Sequence, residues 1–281
     1  MQLPRNEITL NAFSPGLYVV ATPIGNLADL SPRARSVLQC ATIIAAEDTR
    51  TSGKLVRLSE GTGRMVSLTE HNVGQRSAEL LNSARTAVVA IVSDAGTPVV
   101  ADPGARLVDA ALSAGIPVIA IPGPSALAAA ISVSGFTGDD VHFLGFLPKQ
   151  RGERVARLKE AARTAAVLVF FESPNRLAAT LTDIAEALGD PRVAVCRELT
   201  KIHEEVVRGA ASDLIGRFAA TRGECTVVVE VGAQPPADEA DLNAYMAEMQ
   251  RAGARRSNAA SEAARRFRVT RQHAYEVWPE D

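Results

Sequence analysis

Three short segments rich in glycine and proline carry the features that a small polar ligand needs from a chain: Thr22-Pro23-Ile24-Gly25-Asn26, the run SDAGTPVVADPG from Ser93 to Gly104, and IPGPSAL from Ile121 to Leu127. Glycine lets a ligand approach main-chain N–H and C=O groups closely, while proline fixes φ and stiffens the turn. Neither a G-x-G-x-x-G fingerprint nor a Walker A run occurs, so dinucleotide and nucleoside triphosphate chemistry lose support. Charged side chains that can hold or move a proton lie elsewhere, in Ala46-Glu47-Asp48-Thr49-Arg50, in Phe170-Phe171-Glu172-Ser173-Pro174-Asn175-Arg176, and in Arg197-Glu198-Leu199-Thr200-Lys201 followed by His203, Glu204 and Glu205. Lys201 is the first candidate base, because a lysine partly desolvated beside other cations loses its proton near neutral pH. His203 comes second, and His71, His142 and His273 read as structural or surface residues.

Each segment also has a plainer reading. A single glycine-proline turn is more often a loop than a site. Asp48 serves equally as a helix N-cap, Ser173-Pro174 as a cap and first turn, and Arg197 to Glu205 as a solvated charged strand end. Gly145 to Arg154 joins Phe146 to Lys149, Arg151 and Arg154, a combination able to grip phosphates while the ring packs on a ribose or base. No His, Cys or carboxylate run has metal-ligand spacing, so metal-independent chemistry is expected.

These segments must be held by α/β units. Apolar runs at Leu17–Ala21, Thr42–Ala46, Ala87–Val92 and Pro117–Ile121 alternate with helical spacing, the pattern of βαβ units around a largely parallel sheet. The turns fall where strands hand over to helices, at the carboxyl edge of such a sheet, where main-chain N–H groups and helix N-termini converge. Ser31-Pro32, Pro103 and Pro124 are expected helix openers. Beyond Gly135, strands are expected at Val141–Leu147, Val167–Phe171, Val193–Arg197 and Thr226–Val231, with helices near 153–164, 175–188 and 211–221. The expected organisation is a flexible terminus over 1–15, an α/β domain over 16–126, a second over 127–233, and a linker with helical tail over 234–281. In that tail, residues 258–267 and a second helix capped by Thr270 resemble a helix-turn-helix, with a packed helical appendage an equal alternative.

Composition narrows the class. The chain has 281 residues, 47% hydrophobic and 22% charged, and its longest apolar runs are too short to span a bilayer. Its first fifteen residues lack the apolar core of a secretory signal, so a cytoplasmic location is expected. Cys40, Cys196 and Cys225 are odd in number and sit in apolar stretches, which favours buried thiols. A net charge of -2 gives the whole chain no polyanion signature, but 251–281 carries seven arginines against four acids.

In combination, TPIGNL, AEDTR, SDAGTP with DPG, IPGPSAL, FFESPNR and RELTK-HEE, in that order, closely resemble the tetrapyrrole methylase superfamily and within it the RNA-modifying branch. The resemblance spans roughly 16–232. It implies two α/β domains with a cleft between them for S-adenosylmethionine, a homodimer, and methylation of the ribose 2′-oxygen of a decoding-region cytidine in 16S rRNA of the small ribosomal subunit. Position by position it implies that Pro23, Ile24, Gly25, Ser93, Asp94, Ala95, Gly96, Thr97, Pro122, Gly123, Pro124, Ser125 and Ala126 hold the cofactor. It implies further that Arg50, Lys149, Arg151, Arg154, Arg176 and Arg197 meet RNA, and that Lys201, Glu47, Asp48 and Glu172 are the ordered candidates for handling the proton. A corrin or porphyrin methylase and a non-catalytic RNA-binding assembly factor are the alternatives.

Overall fold

The computed structural model describes residues 13–138, 140–231, 239–267 and 269–279. The expected flexible terminus lies mostly outside them, as do residues 234–238, where the expected linker begins. Among the described residues no helix is long and apolar enough to cross a membrane. By contact density the chain forms two units. One comprises the residues up to Ser134 with Cys196–Val206 and Gly223–Thr226; the other comprises Gly135–Val195, Val207–Arg222 and the residues from Val227 onward.

The first unit alternates β1 (Gly16–Val20), α1 (Pro32–Cys40), β2 (Ile43–Ala46), α2 (Thr49–Leu58), β3 (Arg64–Ser67), α3 (Val73–Ala84), β4 (Val88–Val92), α4 (Ala105–Ser113), β5 (Val118–Ile121) and α5 (Ala126–Ser134). Its strands form one sheet in the order β3-β2-β4-β1-β5. β1 runs parallel to β4 and β5, and β2 parallel to β3 and β4. Successive side chains of a strand point to opposite faces. Tyr18, Val20, Ile44, Ala46, Val88, Ala90 and Val92 accordingly pack with Ala34, Val37, Leu38 and Val56 of α1 and α2. Leu17, Ile43, Ala45, Val89 and Ile91 pack instead with Leu80, Leu107 and Ala111 of α3 and α4. With both faces covered, the strands read as continuous apolar runs. That is why four of the five strands were expected, while β3, an edge strand in which only Val66 is buried, was not.

Ser31 caps α1 as expected, its hydroxyl accepting from the Ala34 N–H. Two other expected openers are corrected. α4 begins at Ala105 behind Gly104, whose φ of 129° breaks helical continuation from Pro103, and α5 begins at Ala126 rather than at Pro124. Cys196 and Cys225 are buried, but Cys40, at the last position of α1, is exposed.

The second sheet contains β6 (Val141–Phe146), β7 (Val167–Glu172), β8 (Arg192–Arg197), β9 (Glu205–Ala210) and β10 (Cys225–Glu230), in the order β6-β7-β10-β8-β9. α6 (Arg151–Ala162), α7 (Pro174–Leu188) and the single turn α8 (Ala211–Leu214) accompany it. The expected helix over 211–221 is thus much shorter, with Gly216, a poor helix residue, just past its end. The tail folds as α9 (Glu239–Arg251), α10 (Arg256–Phe267) and α11 (Arg271–Glu276) around Leu242, Tyr245, Met246, Ala260, Ala263 and Phe267. Thr270 caps α11 through the His273 N–H. The Arg256 guanidinium lies over the Tyr275 ring at 4.1 Å and donates to the Tyr275 carbonyl, tying α10 to α11.

Candidate functional site

In the first sheet the chain leaves β1 toward β2 on one side and leaves β4 toward β5 on the other, so the neighbouring strands β1 and β4 hand over in opposite directions. Such a switch point opens a crevice at the carboxyl ends of the strands. The first two glycine-proline turns follow these two strands, and the third follows β5 on the far side of β1.

Hydrogen bonds fasten the three turns to one another. Thr22 and Gly96 form an isolated antiparallel bridge, Thr22 N donating to Gly96 O at 2.8 Å and Gly96 N to Thr22 O at 3.1 Å. The buried Thr22 hydroxyl lies 3.2 Å from the Ser93 carbonyl and 3.3 Å from that of Gly96, and the Ser93 hydroxyl donates to Gly96 O at 2.9 Å. Thr97 donates to the Pro124 carbonyl at 3.1 Å, which brings in the third turn. Gly96 adopts φ 82°, in the left-handed region that favours glycine. A Cβ on Gly123 would stand 3.0 Å from that of Ala21, so glycine at 123 lets the third turn lie closely against the end of β1. Pro23, Ile24 and Ser93 are buried supports, whereas Gly25, Asp94, Ala95, Pro122 and Gly123 are exposed.

Carboxylates line the same edge. Asp48 begins α2, its carboxylate accepting from the Arg50 N–H at 2.8 Å, and Arg50's side chain turns back to pair with it at 3.2 Å. The Arg50 hydrogen bonds hold the Asp48 carboxyl below the usual carboxylate range. Asp94 accepts from the Ser52 hydroxyl at 3.2 Å and from the Asp48 N–H at 3.4 Å, joining α2 to the second turn. Asp102 shares a narrow recess with Glu47, Ser93, Ile91 and Pro103. Burial, then the negative charges of Glu47 and Asp94, push its carboxyl up to about 6. Asp102 was not singled out as a candidate in the sequence, although it lies within the run Ser93 to Gly104; the acids that surround it, Glu47 and Asp94, come together only in the fold.

Lys201 and Arg197 group with this unit. Lys201 Nζ donates to Glu198 Oε1 at 2.8 Å and to Glu224 Oε2 at 2.7 Å, and Arg197 pairs with Glu205. Burial works to lower the Lys201 pKa, yet the hydrogen bonds and charges of Glu198 and Glu224 outweigh it and hold the ammonium above the ordinary lysine value. The cationic neighbourhood expected around Lys201 is therefore corrected: its ion partners are carboxylates.

The remaining charged candidates belong to the other unit. Glu172, 2% exposed, accepts from the Ser173 N–H at 2.7 Å, the Thr180 hydroxyl at 2.7 Å and Arg176 at 3.1 Å. Its carboxylate, rather than the expected Ser173 side chain, satisfies the start of α7. Arg176 also donates to the carbonyls of Leu147 and Pro148. Arg154 is buried in an ion pair with Asp183, which Arg151 shares while also reaching Glu186. Lys149 is exposed, as is Phe146, whose ring meets Phe171 edge-on at 5.5 Å.

The profile of the family described as Tetrapyrrole (Corrin/Porphyrin) Methylases matches residues 16–215. The chain is 46% identical over 253 residues to the ribosomal RNA small subunit methyltransferase I of Mycobacterium tuberculosis, covering 88% of each chain. It is 44% identical over 280 residues to the protein of the same name from Mesorhizobium japonicum, covering 96% of this chain and 94% of that one. A uroporphyrin-III C-methyltransferase from Thermus thermophilus, solved in complex with S-adenosylhomocysteine, shares the fold with TM-score 0.55 and 19% identity over 78% of this chain and 97% of that one.

Proposed function

Because the chain belongs to the tetrapyrrole methylase family, and within it to the ribosomal RNA small subunit methyltransferase I group, we propose that it methylates 16S rRNA in the small ribosomal subunit from S-adenosylmethionine, at the ribose 2′-hydroxyl of a decoding-region cytidine. The observation that carries the reading is the fastening of three glycine-proline turns at the sheet's switch point beside an edge of carboxylates. The same reading takes the working form as a cytoplasmic homodimer.

The residues fit the cofactor. The exposed residues Gly25, Ala95 and Gly123 can offer main-chain donors and acceptors, and Pro122 a carbonyl, to an amino acid and a nucleoside. The three turns contain no lysine or arginine, and the acids Glu47, Asp94 and Asp102 suit a cationic ligand. Residues 22–26, 93–97 and 122–126 would hold it. Bound there, S-adenosylmethionine supplies a methyl group already activated on a sulfonium.

The chain's tasks are then alignment, exclusion of water and care of one proton. A ribose hydroxyl is a weak acid, and a base whose pKa lies near the working pH takes its proton best. Asp102, raised to about 6, meets that requirement, with Glu47 beside it in the same recess. Lys201 is held protonated, Asp48 is engaged with Arg50, and both oxygens of Glu172 are occupied by donors. Arg50 and Lys149, both exposed, are the side chains we assign to rRNA phosphates. The test is to incubate the protein and labelled donor with undermethylated small subunits, free 16S rRNA and a porphyrinogen, and to map the labelled atom. Label on a cytidine 2′-oxygen is expected; label on a base nitrogen or a macrocycle carbon overturns the reading.

A further inference from the structure

Lys201 lies against the backbone of the first turn at Gly25. A Cβ built on Gly25 would lie 2.4 Å from Lys201 Cγ, 2.9 Å from Thr200 Oγ1 and 3.0 Å from Lys201 Cε, so the lysine's methylene stem runs along the Gly25 backbone and takes the space a side chain there would need. The ammonium at the end of that stem is fixed from two sides, by Glu198 at 2.8 Å and by Glu224 at 2.7 Å. These anchors are themselves braced. Glu224 N donates to Glu198 Oε1 at 2.9 Å, and Glu198 N donates to Glu224 O at 2.9 Å. Gly223 has φ 91°, and a Cβ there would stand 2.5 Å from the Glu198 carboxyl carbon and displace it.

The segment is also held in backbone conformations that its residue types disfavour. Glu198 has φ 52° and Thr200 φ 68°, both left-handed, and for β-branched Thr200 this is a steric outlier. The Thr200 hydroxyl is buried with no hydrogen-bond partner. Strain and an unmet polar group persist only where surrounding contacts over-determine them, and they concentrate where geometry serves function. The surrounding contacts are Thr200 N donating to Glu204 Oε2 at 2.6 Å, Lys201 N to Glu198 O at 3.0 Å and Glu204 N to Lys201 O at 3.0 Å.

We propose that Lys201 is a positioning residue: its stem, clamped by Glu198 and Glu224, fixes the backbone of the Gly25 turn for the methyl donor, and its charge secures the strut rather than taking the substrate proton. The proposal rests on the reading that residues 22–26 hold the donor. It differs from a base role in what each atom of the side chain does. A base must lose its proton, whereas a strut needs the proton to keep both carboxylates. A base needs its nitrogen at the acceptor oxygen, whereas a strut needs its methylenes against Gly25.

The experiment combines Lys201→Met, which keeps an unbranched stem and removes the charge, with Glu224→Gln and Gly25→Ala. Binding of S-adenosylhomocysteine is followed by calorimetry, and kcat and KM for the donor are followed between pH 5 and 9. The strut predicts that K201M weakens ligand binding roughly tenfold, by about 1.4 kcal/mol. The loss should fall mainly on the donor KM, the pH profile should keep its wild-type shape, and E224Q should shift KM the same way. Shortening the stem in K201A should relieve part of the defect of G25A, giving a non-additive pair. A fall in kcat of a hundredfold or more with unchanged ligand affinity and a lost limb of the pH profile would establish lysine as the base and overturn the strut. If the wild-type protein does not bind S-adenosylhomocysteine, the donor reading fails. The strut is then judged by amide exchange of residues 22–26 in unliganded K201M: faster exchange supports it, and unchanged exchange overturns it.

Discussion

Thr22 and Gly96, 74 residues apart, exchange both of their backbone hydrogen bonds, and the Thr22 hydroxyl reaches the Gly96 carbonyl as well. Thr22 is fully buried, so Thr22→Val removes that hydroxyl's bonds with little change of shape. A cost of about 1–2 kcal/mol in urea unfolding is expected, with weaker S-adenosylhomocysteine binding. Gly96→Ala should act on the same bridge through its φ of 82°, and an added Cβ would stand 3.2 Å from Ile24 Cγ2. Full ligand affinity in both variants would detach the bridge from the donor site.

Asp102 provides the pH test. Its folded pKa of about 6 lies above the ordinary aspartate value of 3.8. The fold therefore favours the protonated form, and that contribution is present below pH 4 and lost as the pH rises through 6. Over the same interval the carboxylate needed to accept a proton appears. The Asp102 contribution, read as the stability of wild type relative to Asp102→Asn, should decline between pH 4 and 7 while the wild-type kcat/KM climbs, and Asp102→Asn should abolish that climb. A kcat/KM profile in D102N that still rises with a midpoint near 6 would move the proton elsewhere.

Arg154 is too buried to meet RNA. Arg154→Met leaves Asp183, 2% exposed, without its main partner, at an expected cost of about 3 kcal/mol in urea unfolding. Pairing it with Asp183→Leu should recover much of that loss. Unchanged stability together with a large loss of rRNA affinity would return Arg154 to the RNA surface.

The exposed Lys149 behaves oppositely. Lys149→Ala should leave urea unfolding unchanged within about 0.5 kcal/mol and weaken rRNA binding evenly across sequences. The slope of log affinity against log salt should fall by roughly 1. A salt slope identical to wild type would exclude a phosphate contact.

Glu172 tests a buried carboxylate in a structural role. Glu172→Ala should cost about 3 kcal/mol, since Ser173 N and Thr180 lose this acceptor and Arg176 loses its ion-pair partner. Residual methyl transfer should follow the folded fraction measured by circular dichroism. Complete loss of turnover in a fully folded variant would make Glu172 catalytic.

Much of the first unit was legible because its strands are apolar on both faces and its turns contain glycine and proline where the backbone needs them. Pro23 to Gly25, Ser93 to Thr97 and Pro122 to Ala126 could be located without knowing any contact. β3 and β9 were not legible, since Arg64 in one and Glu205 and Arg208 in the other interrupt the apolar pattern that marks a strand. Charged side chains were harder still. Composition marks Arg154, Arg50 and Lys149 alike as cations; only the position of Asp183 on the next helix separates a buried ion pair from an exposed surface charge. The same holds for Lys201, whose meaning is set by Glu224, distant in sequence.

A parallel sheet with oily side chains on both faces has little to stop one strand from sliding past the next, because Leu17 and Tyr18, or Val89 and Ala90, would all remain buried after a slip. The Thr22–Gly96 bridge would not survive such a slip. The bridge therefore ties the register of β1 against β4, with Val20 beside Val92, to the alignment of the first two turns.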